Sequence, residues 1–105
     1  MGYARPKPER LAEKLRQIRL ALGLSQPEMH KRLGVEDRIA YTRISEYELG
    51  KREPLLTVLL QYARVAGVHM EALVDDELSL PDRLPGDVEH EAIKRKYASR
   101  RKAKR

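Results

Sequence analysis

The run from Leu24 to Pro54, LSQPEMHKRLGVEDRIAYTRISEYELGKREP, constrains the fold more than any other part of the chain. Ser25 is placed to cap a helix, and Glu28, three residues later, returns the bond, which makes an S-x-x-E capping box. Met29 and Leu33 are the apolar i and i+4 positions of that helix, and Gly34 supplies the left-handed residue that ends it. A second helical stretch carries Ile44 and Tyr47 inward and stops at Gly50, with Lys51, Arg52 and Pro54 close behind. The result is a helix, a Gly-containing turn and another helix.

The flanking sequence extends this unit to five helices. Residues 1–8 read as an irregular basic arm containing Arg5, Pro6, Lys7 and Pro8. The first helix is expected over Glu9–Leu22, with Leu11, Leu15, Ile18 and Leu22 along one face and Gly23 as its stop. The second and third are expected over Gln26–Leu33 and Tyr41–Leu49. A fourth runs over Leu55–Ala66, its core stripe Leu56, Leu59, Leu60 and Ala63, and ends at Gly67. The fifth, over Met70–Val74, supplies Leu73. Asp75-Asp76-Glu77 and the turn signals Pro81, Pro85 and Gly86 then mark a linker. Residues 9–75 thus form an all-α domain, 76–86 the linker and 87–105 a basic C-terminal extension. In that extension Val88, Ile93 and Tyr97 make no clean stripe, so its helicity is expected to be marginal or to depend on binding.

Charge divides unevenly along the chain. Residues 1–86 hold 14 Lys+Arg against 13 Asp+Glu, whereas residues 87–105 hold 8 against 3, so most of the formal +6 belongs to the tail. A basic tail favours a polyanion, with a solvated solubility tail as the alternative. Cysteine is absent, which removes disulfides and thiolate metal sites. His30, His69 and His90 have no zinc spacing, and no cofactor motif is present. No signal-peptide pattern occurs, and no apolar run nears the ~18 residues that a membrane span requires, so a cytoplasmic location is expected. Without a Ser-His-Asp constellation, a glycine-rich phosphate loop or a paired-carboxylate pattern, the chain is not expected to be an enzyme.

A helix-turn-helix of this kind sets one exposed helix into a DNA major groove. Leu15-Arg16…Arg19, Gly23-Leu24-Ser25-Gln26, Leu33-Gly34-Val35, Ile44-Ser45…Glu48-Leu49-Gly50-Lys51…Pro54 and Ala63…Gly67-Val68…Leu73 occur in order. In this order and nearly this spacing they resemble the phage-repressor-like regulators of Cro and lambda-repressor type, also called XRE. The resemblance covers about Leu11–Val74 and implies a compact five-helix lambda-repressor-like domain. One departure lies between Val35 and Ile44, where the chain is longer than the family pattern by about four residues, close to one helical turn. The excess, Glu36-Asp37-Arg38-Ile39, either extends the third helix backward with Asp37 as its cap or forms a longer loop. The loop is preferred, because an extended helix turns Ile39 outward with Arg43 and Glu46.

The resemblance assigns roles residue by residue. Gln26 matches a glutamine whose amide reaches a backbone phosphate, the alternative being a solvent-facing Gln beside a cap. Tyr41, Thr42, Arg43 and Glu46 fall where base-reading side chains stand. Thr42 suits a thymine methyl, Arg43 a guanine edge or a phosphate, and Glu46 a cytosine amino group. For Tyr41 and Thr42 the alternative is surface or capping, and for Glu46 a solvated face. Arg38, in the long turn, is grouped with the DNA-facing residues, as are Lys51 and Arg52, which clasp phosphate just past Gly50. Arg19 and Glu48 correspond to a structural ion pair that bridges the first and third helices behind the groove. Leu55 stands where a Ser or Thr cap is usual, so the fourth helix is expected to start with Pro54 in its first turn.

Together these readings imply a sequence-specific DNA-binding transcriptional regulator, a repressor more than an activator, acting as a homodimer on double-stranded DNA. The resemblance puts the dimer surface near His69–Val74 and the following linker. Two alternatives stay open: an antitoxin or adaptor of the same fold whose tail binds a partner protein, and tail-driven non-specific nucleic-acid binding.

Overall fold

A computed structural model describes residues 7–86. Over that span the chain forms five helices in the order α1 Leu11–Ala21, α2 Gln26–Leu33, α3 Thr42–Glu48, α4 Leu56–Ala66 and α5 Met70–Val74, with no strand among the described residues. The N-terminal arm through residue 6, including Arg5, and the tail with Val88, Ile93 and Tyr97 lie outside the described residues.

Local chemistry accounts for the start of α2. α2 opens on the expected capping box: Glu28 N donates to Ser25 Oγ at 3.2 Å and Ser25 N donates to Glu28 Oε1 at 2.9 Å. The bond from Ser25 N, and then the Ser25 hydroxyl beside it, also hold the Glu28 carboxyl below its usual range. Leu11, Leu15 and Ile18 of α1 meet Met29 and Leu33 of α2, Ile44 and Tyr47 of α3 and Leu73 of α5 in one core. Leu22, expected at the end of the α1 stripe, is only half-buried beside it.

α4 differs from its expected stripe. It starts at Leu56 with Leu55 as an extended N-cap residue, so the buried Pro54 precedes the cap rather than occupying the first turn. Val58, Leu59, Tyr62, Ala63 and Ala66 face the core, while Leu56 is exposed and Leu60 half-buried. The helix is apolar nearly all round, so spacing alone allows two overlapping stripes. The burial of Tyr62 selects the one at positions 58, 62 and 66.

The longer turn between α2 and α3 is a loop, as preferred. Arg38 N and Ile39 N both donate to Val35 O at 3.0 Å, and helical structure resumes only at Thr42. Ile39 thereby escapes solvent and packs half-buried against the core. His30 Nε2 lies 2.6 Å from Ile39 O, so α2 holds the loop from below. Asp37 does not cap α3, whose N-cap residue is Tyr41.

The largest difference concerns residues 76–86, expected as a linker. They fold back as a strap over α1, α4 and α5, and bury Leu80 and Leu84 in the common core. The Asp76 carboxylate accepts Glu9 N at 2.9 Å and Arg10 N at 3.0 Å, which caps α1 from the far end of the domain. Arg10 Nη1 donates to the carbonyls of Asp76 and Leu78. Lys14, fully buried, donates from Nζ to the Ala72 and Asp75 carbonyls at 2.8 Å and so satisfies the end of α5. Burial lowers its pKa, the nearby Arg10 adds to that, and Asp76 and Asp75 oppose it. The strap closes at Gly86, where any Cβ would stand 1.9 Å from Val65 O. Turn residues mark changes of direction, and they carry no information on whether the segment between them packs.

Candidate nucleic-acid interface

α3 is short, and its two faces have separate tasks. Ile44 and Tyr47 anchor it to the core, which turns Tyr41, Thr42, Arg43 and Glu46 away from it. Tyr41 and Thr42 are exposed; Arg43 and Glu46 are partly so. The helix ends at Glu48 with Leu49 as its cap residue, and Gly50, with φ +73°, reverses the chain so that Lys51 N donates back to Glu46 O at 2.9 Å. A side chain at Gly50 would be strained in that left-handed conformation. Lys51 and Arg52 therefore project from a fixed turn, and both are exposed.

From behind, Arg19 of α1 holds α3 through Glu48. Its Nε donates to Glu48 Oε2 at 2.7 Å, its Nη2 to Oε1 at 2.9 Å and its Nη1 to Leu24 O at 3.0 Å. The forked pair is largely dry, with side-chain exposures of 14% for Arg19 and 4% for Glu48. The bond to Glu48 raises the Arg19 pKa above its already high value, against the desolvation that opposes it. Gln26, the first residue of α2, approaches the same carboxylate with a long 3.5 Å contact from Nε2 to Glu48 Oε1. Nearby, Tyr62 is buried with its hydroxyl unpartnered, and burial drives its pKa upward.

The outward face carries a second network that the sequence announces only in part. Glu46 Oε2 accepts Arg43 Nη1 at 2.9 Å and Arg52 Nε at 2.7 Å. The bonds from Arg52 and then Arg43 hold the Glu46 carboxyl below its usual range. An Arg and a Glu three apart on a helix are a visible signal. The bond to Arg52 is not visible in the same way, because it depends on how the Gly50 turn returns the chain.

Apart from Glu46, the candidate residues divide between two grooves and two separate positions. Arg38, Thr42, Arg43 and Arg52 line one surface groove together with Ile39 and Leu55. Lys51 lines a neighbouring groove with Lys7 and Gly50. Gln26 stands apart at the start of α2, beside the Arg19–Glu48 pair, and Tyr41 projects from the N-terminal end of α3 without lining either groove. Three arginines on one groove, a free-standing tyrosine and a helix N-terminus suit phosphates and base edges. Among the described residues no group of His, Asp and Glu could hold a metal ion, and no helix is long and apolar enough to cross a membrane.

No curated protein and no solved structure matches the chain. A model of the helix-turn-helix family does match, over residues 15–73, a span that begins at Leu15 inside α1 and ends at Leu73 inside α5. That span is more than half of the 105 residues, and it stops before the strap. The chain therefore belongs to the helix-turn-helix family of Cro and lambda-repressor (XRE) type, the DNA-binding transcription regulators.

Proposed function

We propose that this protein is a sequence-specific repressor that reads the major groove with α3. The observation that carries this reading is the arrangement around α3, which is braced from behind by Arg19 and Glu48 and presents Tyr41, Thr42 and Arg43 outward. In this reading Arg43 addresses a guanine edge and Thr42 a thymine methyl, contacts that specify sequence. Arg38, Lys51 and Arg52 hold phosphates on one side of the helix, and Gln26 with the α2 N-terminus holds them on the other. Repression follows from occupying a site that transcription needs.

One such module gives limited affinity, so two copies act as a symmetric dimer on half-sites about one helical turn apart. Leu73 is committed to the core, which leaves the exposed Val74 and Leu78 as the apolar residues of this region that a second copy meets.

Selection of bound sequences from a random duplex pool, combined with the mass of the complex, tests the whole reading. The expected result is a short palindromic site bound by two chains. Arg43→Ala should then change the preference at one base pair of each half-site, whereas uniform weakening of all duplexes would make Arg43 a phosphate contact. If the intact chain showed no preference among duplexes but bound a single protein partner, the repressor reading would fail in favour of an adaptor.

A further inference from the structure

Glu46 joins α3 to the turn that follows it in two ways. Its carboxylate oxygen Oε2 accepts both Arg43 Nη1 and Arg52 Nε. Its backbone carbonyl accepts Lys51 N across Gly50. The side chains of Arg43 and Glu46 are 36% and 35% exposed and that of Arg52 is 52% exposed. Pairs this open add little to stability, because water competes for the charges and ordering long side chains opposes them. Their effect is on direction. Each guanidinium gives up one N–H to Glu46 and keeps its remaining donors in a fixed plane.

That geometry suits DNA. A guanine edge requires two parallel donors in one plane, and a guanidinium held in place beforehand loses less freedom on binding. Two guanidiniums around one carboxylate also leave a local charge of about +1 by simple count, so Glu46 does not meet the phosphates as a bare anion.

We propose that Glu46 is a positioning residue: without touching DNA, it aims Arg43 into the groove and Arg52 at the backbone, and so sharpens discrimination between base pairs. The proposal rests on the DNA-reading function above. It replaces the simpler assignment of Glu46 as an acceptor for a cytosine amino group.

The test compares the full chain with Glu46→Gln, Arg43→Ala and the double variant. Each protein is titrated at one salt concentration against the selected site and against the same duplex with every base pair changed in turn, and each is melted. Glu46→Gln should lose roughly tenfold discrimination, the low end of what a bidentate arginine supplies, at the base pair that Arg43→Ala also affects. Its melting temperature should stay close to wild type, and the double variant should discriminate no worse than Arg43→Ala alone. The proposal is overturned by any of three results. Loss at a different base pair that persists in the double variant would mean direct reading by Glu46. Unchanged discrimination would mean a solvated side chain. Uniform weakening with a lower melting temperature would mean a structural role. A wild-type chain without sequence preference would defeat the DNA-reading function itself, whereas a wild-type preference that Glu46→Gln leaves intact defeats only the proposal.

Discussion

Glu48 is a buried carboxylate that faces one cation. With 4% of its side chain exposed it has almost no water, and Arg19 supplies two of its hydrogen bonds. Arg19→Ala should therefore destabilise the domain by about 3 kcal/mol or more in urea unfolding, because the lone carboxylate stays buried. Arg19→Lys should recover only part of that loss, since an ammonium cannot reproduce the fork or reach Leu24 O as well. A lysine variant as stable as wild type would show that charge alone suffices. This pair was visible beforehand only through the family resemblance, for nothing in the spacing of residues 19 and 48 brings them together. The burial of Lys14 was not foreseen. It lies on the face of Leu11 and Ile18, but a lysine is seldom fully buried, and the expected stripe omits it. Its partners, the Ala72 and Asp75 carbonyls, are about 60 residues away along the chain.

Among the elements, α1 depends most on a distant segment. No side chain at its own N-terminus caps it, and the sequence Glu9-Arg10 before Leu11 offers no Ser, Thr, Asp or Asn at the cap. Asp76 does this work instead, and the Glu9 and Arg10 amides that it accepts hold its carboxyl below the usual carboxylate range. The sign follows directly. A carboxyl whose pKa is lowered by folding stabilises the folded state above its ordinary pKa and loses that contribution as pH falls through the depressed value. Asp76→Ala should melt below wild type at neutral pH, and the gap should close as pH is taken down through and below the ordinary carboxylate range. A gap independent of pH would assign the effect to something other than the ionised cap. That Asp76 replaces the cap was not foreseen from the sequence, because Arg10 and Asp76 are 66 positions apart along the chain. α2 and α5 matched their expected bounds, and α2 did so because its capping box is local chemistry. Between α2 and α3 the sequence favoured a loop on the ground that Ile39 should not face water, and the half-buried Ile39 agrees. The strap was read as a linker because Pro81, Pro85 and Gly86 dominate its pattern, and in an irregular segment the spacing of Leu80 and Leu84 does not show that both are buried.

At the scale of the whole molecule, most of the net charge lies outside the described residues. Through Gly86 the chain is almost neutral, with 14 Lys+Arg and 13 Asp+Glu, and residues 87–105 carry a further +5. Cutting after Gly86 should keep the melting temperature and the sequence preference while flattening the dependence of affinity on salt. Cutting after Asp75 should be far more damaging. It removes the α1 cap and two buried leucines, which are worth up to about 3–6 kcal/mol together, a large share of the stability of a domain this size. If the shorter fragment melted like the longer one, the strap would be dispensable. The clasp of Asp76 on Arg10, across 66 positions of chain, also orders events in time. Translation runs from the N-terminus, so all five helices leave the ribosome before Leu80, Leu84 and Gly86 do. Until the last strap residues emerge, α3 thus sits on an unfastened scaffold, and under the proposed function a nascent chain stalled short of them should compete poorly for the site.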